Sequence, residues 1–314
     1  MFVTHRVIFS IITISFWLWR GAMSQFLVPG CGYPGITPKI MHGQKAEIGS
    51  NPWMAYIFKY KDESVAELVC GGTLIHKEFV LTAAHCISKD HILAVRLGEH
   101  GTSRNFAVTK AFRNKYFRHE TYTNDIGILQ IQPVYFNAFI RPVCIITDPA
   151  KVPKFKTFQA AGWGKTENET SSRVLKTVEL YEYNAYYCYN LFWVNITESQ
   201  ICAGHPHGDT CHGDSGGPLI HPVYVNGSLR YAQFGIISFG GSECTGPGVY
   251  TRLSSFTDWI LMVIDKYTAR SSPKISAAAS LSDGRWNVGG RFARKGIDSH
   301  RKRASHSSKR YDKQ

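Results

Sequence analysis

The 314-residue chain is 44% hydrophobic and 13% aromatic, ample for a packed core; this excludes a chain disordered throughout and leaves room for one large domain or two small ones. Its net charge of +13 is uneven: between Ser271 and Gln314 eleven Lys/Arg stand against three Asp, so +8 of the excess belongs to the last stretch, and no nucleic-acid partner is expected of the rest. Eight cysteines without a Cys-x-x-Cys pair fit disulfides rather than metal sites, and eight allow 105 pairings on sequence grounds alone.

At the start, His5 and Arg6 precede the apolar run 7–19, followed by Arg20 and the small-x-small sequence Ala22-Met23-Ser24. This predicts a secretory leader over 1–24, cut after Ser24, and an extracellular product. The run contains Ser10, Thr13 and Ser15 and falls short of the roughly 20 apolar residues a membrane span needs; no other stretch is long enough, so no membrane span is expected. Residues 25–39, with Pro29-Gly30-Cys31-Gly32 and Pro34-Gly35, read as loop. Short apolar and aromatic runs broken by Gly, Asn and Pro then cover 53–58, 72–75, 79–81, 92–97, 158–162, 233–239 and 248–253. That spacing predicts an all-β sandwich or barrel.

The Tyr- and Phe-rich stretch 181–192 reads as a core strand and loop, in preference to a stacking surface for a ligand. Three sequons, Asn168-Glu169-Thr170, Asn195-Ile196-Thr197 and Asn226-Gly227-Ser228, offer N-glycosylation acceptors on surface loops. Near the end Phe256, Trp259, Ile260, Val263, Ile264 and Tyr267 form one helical stripe, with Ser255 as its expected cap. Residues 270–314 turn to Ser, Ala, Gly, Lys and Arg, a composition that cannot bury enough surface to offset its ordering entropy. This basic, disordered tail is either a solvated appendage or a tether to anionic glycans or membranes.

Three motifs carry chemistry. Gly213-Asp214-Ser215-Gly216-Gly217 places a serine in a glycine turn whose N–H groups, those of Gly213 and Ser215, can approach a reacting oxygen. Leu81-Thr82-Ala83-Ala84-His85-Cys86 supplies a base, and Asn124-Asp125-Ile126 supplies an acid entering an apolar run. Alone, each has a bland reading: a surface turn, a satisfied core histidine, an acid that ends a turn. Together, in the order His85, Asp125, Ser215, they match one of the few triad orders known for serine hydrolases.

On these motifs the chain resembles the chymotrypsin-like serine proteases from Ile40 to about Tyr267. The resemblance implies two packed six-stranded antiparallel β-barrels over 40–269, with the C-terminal helix clamped onto the second barrel, and residues 25–39 as a pro-segment that becomes a light chain. It implies cleavage between Lys39 and Ile40, after which the freed ammonium pairs with Asp214; Met41 and His42 depart from the usual Ile-Val start. It implies the pairs Cys70–Cys86, Cys188–Cys202, Cys211–Cys244 and, tethering the light chain, Cys31–Cys144. Ser238 matches the serine that holds the triad acid.

Asp209 matches the floor of the primary pocket and Gly240 and Gly248 its open walls, a trypsin-like set for Arg or Lys; His212 stands where a Gln is usual. Gly98-Glu99-His100 resembles the start of a calcium loop but lacks a second acidic ligand, and calcium takes roughly six to eight oxygens, so neither metal nor cofactor is expected. The implied product is a secreted, zymogen-derived endopeptidase with protein substrates, an upstream activating protease and serpin-type inhibitors. Cys31-Gly32-Tyr33-Pro34 and Asn51-Pro52-Trp53-Met54-Ala55 are similar to arthropod clotting and innate-immunity cascade proteases, although no six-cysteine clip domain precedes the cut site. The alternatives are a non-catalytic homologue that binds and regulates a partner, and a basic binding module whose function lies in the tail.

Overall fold

Runs of alternating or fully apolar residues separated by turn formers become twelve short strands. The computed structural model describes residues 25–35, 46–47, 49–60, 66–88, 91–98, 103–164, 172, 174–206, 210, 213–241 and 246–271. The leader, the Lys39–Ile40 bond, Met41, His42, Glu99, Asn168, Asp209, Cys211, His212, Cys244 and the tail beyond Ser271 lie outside the described residues.

β1 (Met54–Tyr60), β2 (Ala66–His76), β3 (Phe79–Thr82), β4 (Ile92–Leu97), β5 (Arg104–Arg113) and β6 (Gly127–Ile131) close an antiparallel barrel in the order β1-β2-β3-β6-β5-β4. β7 (Thr157–Gly162), β8 (Lys176–Glu182), β9 (Gln200–Gly204), β10 (Pro218–Val225), β11 (Ser228–Phe239) and β12 (Gly248–Arg252) close a second in the order β7-β8-β9-β12-β11-β10. The same connectivity thus occurs twice, and closure leaves no strand edge unpaired. The expected runs at 53–58, 72–75, 79–81, 92–97, 158–162, 233–239 and 248–253 all fall in or against strands. β5, β6, β8, β9 and β10 were not among them; in β5 the half-buried Phe106, Val108 and Phe112 are interrupted by the exposed Arg104, Asn105, Thr109 and Lys110.

Residues 25–35 lie along the second barrel. Leu27 N–H donates to the Ile145 carbonyl at 3.0 Å, Gly32 N–H to the Pro142 carbonyl at 2.8 Å, and Tyr231 N–H to the Gly32 carbonyl at 2.8 Å. Cys31 is bonded to Cys144 in the same buried cluster as Phe26, and the Arg230 guanidinium sits 4.0 Å over the Tyr33 ring. The expected pairs Cys70–Cys86 and Cys188–Cys202 are also formed.

Two helices depart from expectation. Residues 181–192 are not a core strand and loop: β8 ends at Glu182 and helix α1 (Ala185–Phe192) follows. The Asn184 side chain caps it, accepting from Tyr186 N–H at 2.9 Å, and only Cys188, tied to Cys202, is fully buried. Tyr186, Tyr187, Tyr189 and Leu191 face outward.

The second helix, α2 (Thr257–Ser271), carries the foreseen stripe, but Ser255 does not cap it. Ser255 lies in a 3₁₀ turn, Leu253–Phe256, and Thr257 Oγ1 instead reaches back to the Ser254 carbonyl at 3.5 Å. Nor does α2 clamp onto the second barrel alone. Phe256, Ile260, Val263 and Ile264 join the core cluster built on the first barrel, and the Tyr267 ring lies 4.4 Å from Phe112 of β5. The half-buried Phe112 and Tyr267 both pack against that core. Among the described residues no helix is long and apolar enough to cross a membrane.

The Cys188–Cys202 bridge closes a short loop, with a sequence separation of 14, around α1. Replacing both cysteines with Ala is expected to lower unfolding free energy by about 3 kcal/mol, the loop-closure value for that length. The shift of the urea midpoint at unchanged slope measures it.

Candidate active site

His85 sits in a 3₁₀ turn, Ala84–Cys86, that ends β3, and the Cys70–Cys86 bridge fixes this turn to β2. Asp125 precedes β6 and is 0% exposed, a position that a carboxylate tolerates only when it is hydrogen-bonded. Three donors meet it. The His85 backbone N–H donates to Oδ1 at 3.0 Å, His85 Nδ1 lies 2.7 Å from Oδ2, and the Ser238 hydroxyl donates to Oδ2 at 2.5 Å. Thr251 Oγ1 donates to the Asp125 backbone carbonyl at 2.8 Å. With Nδ1 facing the carboxylate, the imidazole, 20% exposed, presents Nε2 on its other side.

Ser215 stands in the turn before β10. Its carbonyl accepts from Gly71 N–H of β2 at 2.8 Å, and the next residue, Gly216, donates to the Ile237 carbonyl of β11 at 2.8 Å. Gly216 has φ +82, and a methyl group there would strike Thr82 Oγ1 and the Gly71 carbonyl, so this turn needs glycine. Cys86 Sγ lies 3.7 Å from both His85 Nε2 and the Ser215 carbonyl oxygen, which brings the histidine and serine turns side by side. Gly216 and Gly217 have paired N–H groups, whereas those of Gly213 and Ser215 make no hydrogen bond among the described residues, leaving two donors available on one turn.

Asp214 is buried. Gly164 N–H donates to its Oδ1 at 2.6 Å, and a methyl group at Gly162 would fall on the carboxylate. A Cβ built on Gly240 would lie 3.7 Å from the Gly248 Cα, so the two glycines expected as pocket walls face one another. Asp209, Lys39 and Ile40, which complete the expected pocket and switch, are outside the described residues. Cys70, His85 and Cys86 place their ligand atoms within 4.8 Å of one another. The two sulfurs are bonded to each other, however, and a disulfide offers no thiolate to a metal.

Sequence reasoning missed the aromatic wall of this cleft. Tyr122, in left-handed backbone at φ +50, presents its ring edge to His85 at 5.5 Å. Phe239 lies 5.0 Å from Tyr122, and Phe192 of α1 lies 5.3 Å from Phe239. No motif marks these rings. The one available cue is that Tyr122 and Asn124, both at positive φ, crowd the approach to Asp125.

The family described as Trypsin matches residues 40–260. The chain is 34% identical to the clotting factor G beta subunit of Tachypleus tridentatus over 73% of its own length and 81% of the relative's. It is 36% identical to the proclotting enzyme of the same animal, over 73% and 68%. The crystal structure of Drosophila Grass, a clip serine protease of the Toll pathway, superimposes with a TM-score of 0.66 at 29% identity, covering 75% of this chain and 74% of that one.

Ser238→Ala would leave one lone pair of a wholly buried carboxylate unmatched. The expected loss of stability is about 1–3 kcal/mol, read as a lowered urea midpoint. Ser238→Thr, which restores a hydroxyl, should recover part of it.

Proposed function

We propose that this chain, which belongs to the trypsin family of serine proteases, is a secreted endopeptidase that cuts proteins after Arg or Lys once its own Lys39–Ile40 bond has been cleaved. The observation that carries the reading is the buried Asp125 carboxylate bridging His85 and Ser238, next to the Ser215 turn.

In this reading His85 Nε2 takes the Ser215 Oγ proton as the oxygen adds to the scissile carbonyl carbon. The N–H groups of Gly213 and Ser215 hold the oxyanion, being fixed in place before charge develops. Asp125 keeps the Nδ1–H tautomer and balances the imidazolium. His85 then returns the proton to the departing amine nitrogen as the C–N bond breaks. Water repeats the addition with His85 as base, and the acyl ester is released as a carboxylic acid. The substrate's cationic side chain reaches Asp209 between Gly240 and Gly248, where an unhindered slot with an acid at its end suits guanidinium or ammonium.

Activation has a physical basis in Asp214. Before cleavage the Ile40 nitrogen is an amide; afterwards it is an ammonium able to pair with a buried carboxylate. Such a pairing would add a cation to a carboxylate already bonded to the Gly164 N–H, and so couple the cut to the shape of the turn from Gly213 to Ser215. Lys39 is itself a basic cut site, which makes either self-activation or an upstream protease sufficient. The clotting and Toll-pathway descriptions of the relatives favour a role in a proteolytic cascade.

Small peptide substrates with Arg, Lys, Phe or Ala before the scissile bond, offered after cleavage at Lys39, test the assignment. Arg and Lys substrates should turn over, and Ser215→Ala should lower kcat by on the order of 10⁶. No turnover despite an Ile40 N-terminus would make the chain a binding homologue. Asp209→Ser should lower kcat/KM for Arg substrates by a factor of about 10²–10⁴, the cost of leaving a desolvated cation unpaired, with little effect on Ala substrates.

A further inference from the structure

Trp193 is 81% exposed, among the most exposed large apolar side chains described. It ends α1 in left-handed backbone, φ +55 and ψ +29, with its N–H on the Tyr189 carbonyl at 2.8 Å. That position usually carries Gly or Asn, and a bulky residue there is strained by roughly 1–2 kcal/mol. Packing does not account for it, since among the described residues its only ring neighbour is Tyr189 at 6.3 Å.

From Phe192 to Thr197 burial alternates residue by residue. Phe192 and Ile196 turn inward to the cluster of Cys188, Cys202 and Val249, while Trp193, Asn195 and Thr197 are exposed. This alternation, starting from the left-handed bend at Trp193, leaves Trp193, the sequon asparagine and the sequon threonine together on the solvent side, two residues apart. Thr197 is then held by the turn that follows, its N–H and hydroxyl both reaching Gln200 Oε1 at 3.1 Å.

We propose that Asn195 carries an N-linked glycan whose first sugar rests on the indole of Trp193. The C–H bonds on one face of a pyranose carry slight positive charge and match the negative face of an aromatic ring, and the sugar covers apolar surface that is otherwise left in water. In the attachment step the Asn195 amide nitrogen displaces diphosphate from C1 of a polyprenyl-diphosphate oligosaccharide. One C–O bond breaks, one C–N bond forms, and the amide proton is lost as the polyprenyl diphosphate departs.

The same pattern recurs on the hairpin of β10 and β11. There Tyr224, 80% exposed, lies two residues before Asn226 in a two-residue turn with Gly227. The proposal rests on entry into the secretory route but not on proteolytic activity.

The test uses the full chain, expressed with its leader in insect cells and recovered from the medium. Mass analysis of the Asn195 peptide should find it glycosylated. Protein trimmed to a single N-acetylglucosamine is then compared with Asn195→Gln by thermal unfolding, each with Trp193 and with Trp193→Ala. Asn195→Gln should lower the midpoint by roughly 2–4 °C beside Trp193 and not measurably beside Ala; Trp193→Phe should keep most of the effect. An unmodified Asn195 on secreted protein, or an equal shift in both backgrounds, would overturn the proposal. Hydrolysis of Arg substrates by the activated variants should be unchanged. A chain that shows the coupling but no hydrolysis would sink the proteolytic reading and leave the glycan site standing.

Discussion

One buried carboxylate ties the molecule together. Asp125 enters β6 of the first barrel, yet its partners come from both: His85 from the first, and Ser238 of β11 and Thr251 of β12 from the second. A charge in that position is tolerated because every approach to it is filled by a donor. Moving one barrel against the other would strip donors from it at about 3–5 kcal/mol. The Ser215 turn is held in the same way, by Gly71 of β2 on one side and Ile237 of β11 on the other. Barrel docking and the mutual placement of His85, Asp125 and the Ser215 turn are therefore one constraint, set by the packing that makes the domain cohere.

A second buried acid, Asp214, lies in the Ser215 turn itself. Its carboxylate lies against Gly162 and Gly164 with no room for side chains at either. Asp125 links the two barrels, whereas Asp214 anchors this turn to the Gly164 backbone N–H. A buried charge at that point makes the shape of the turn sensitive to any change in the carboxylate's partners.

The candidate site was more legible in the sequence than the surfaces around it. The juxtaposition of His85, Asp125 and the Ser215 turn could be expected because each lies in a motif whose residue types suit one reaction, and the contact of Ser238 with Asp125 came with the resemblance. The barrels were legible where a strand is apolar throughout, as in β3, and illegible in β5, where charged residues interrupt the inward side chains. The stripe of α2 was correct in period, but its partners extend beyond the second barrel to Phe112 of the first. Nothing in a 3.6-residue repeat says which barrel will receive it, and the 3₁₀ turn displaced the start from Ser255 to Thr257. Tyr122 escaped because its importance comes from a left-handed bend that no residue preference announces.

The stretch misread as a core strand explains how an exposed aromatic helix can border a cleft without disturbing it. In α1 and the segment after it, side chains divide by alternation: Phe192 leans on Phe239, which touches Tyr122 beside His85, while Trp193 turns to solvent. Cys188, bonded to Cys202 on β9, pins the inner side. Adjacent residues therefore serve different surfaces, one lining the approach to the reacting groups and the other facing outward with Asn195. A bulky group on the outer face is separated from the cleft by the Phe192 layer and by the disulfide behind it. The positions of His85, Asp125 and Ser215, held by contacts between the two barrels, are set independently of that outer face.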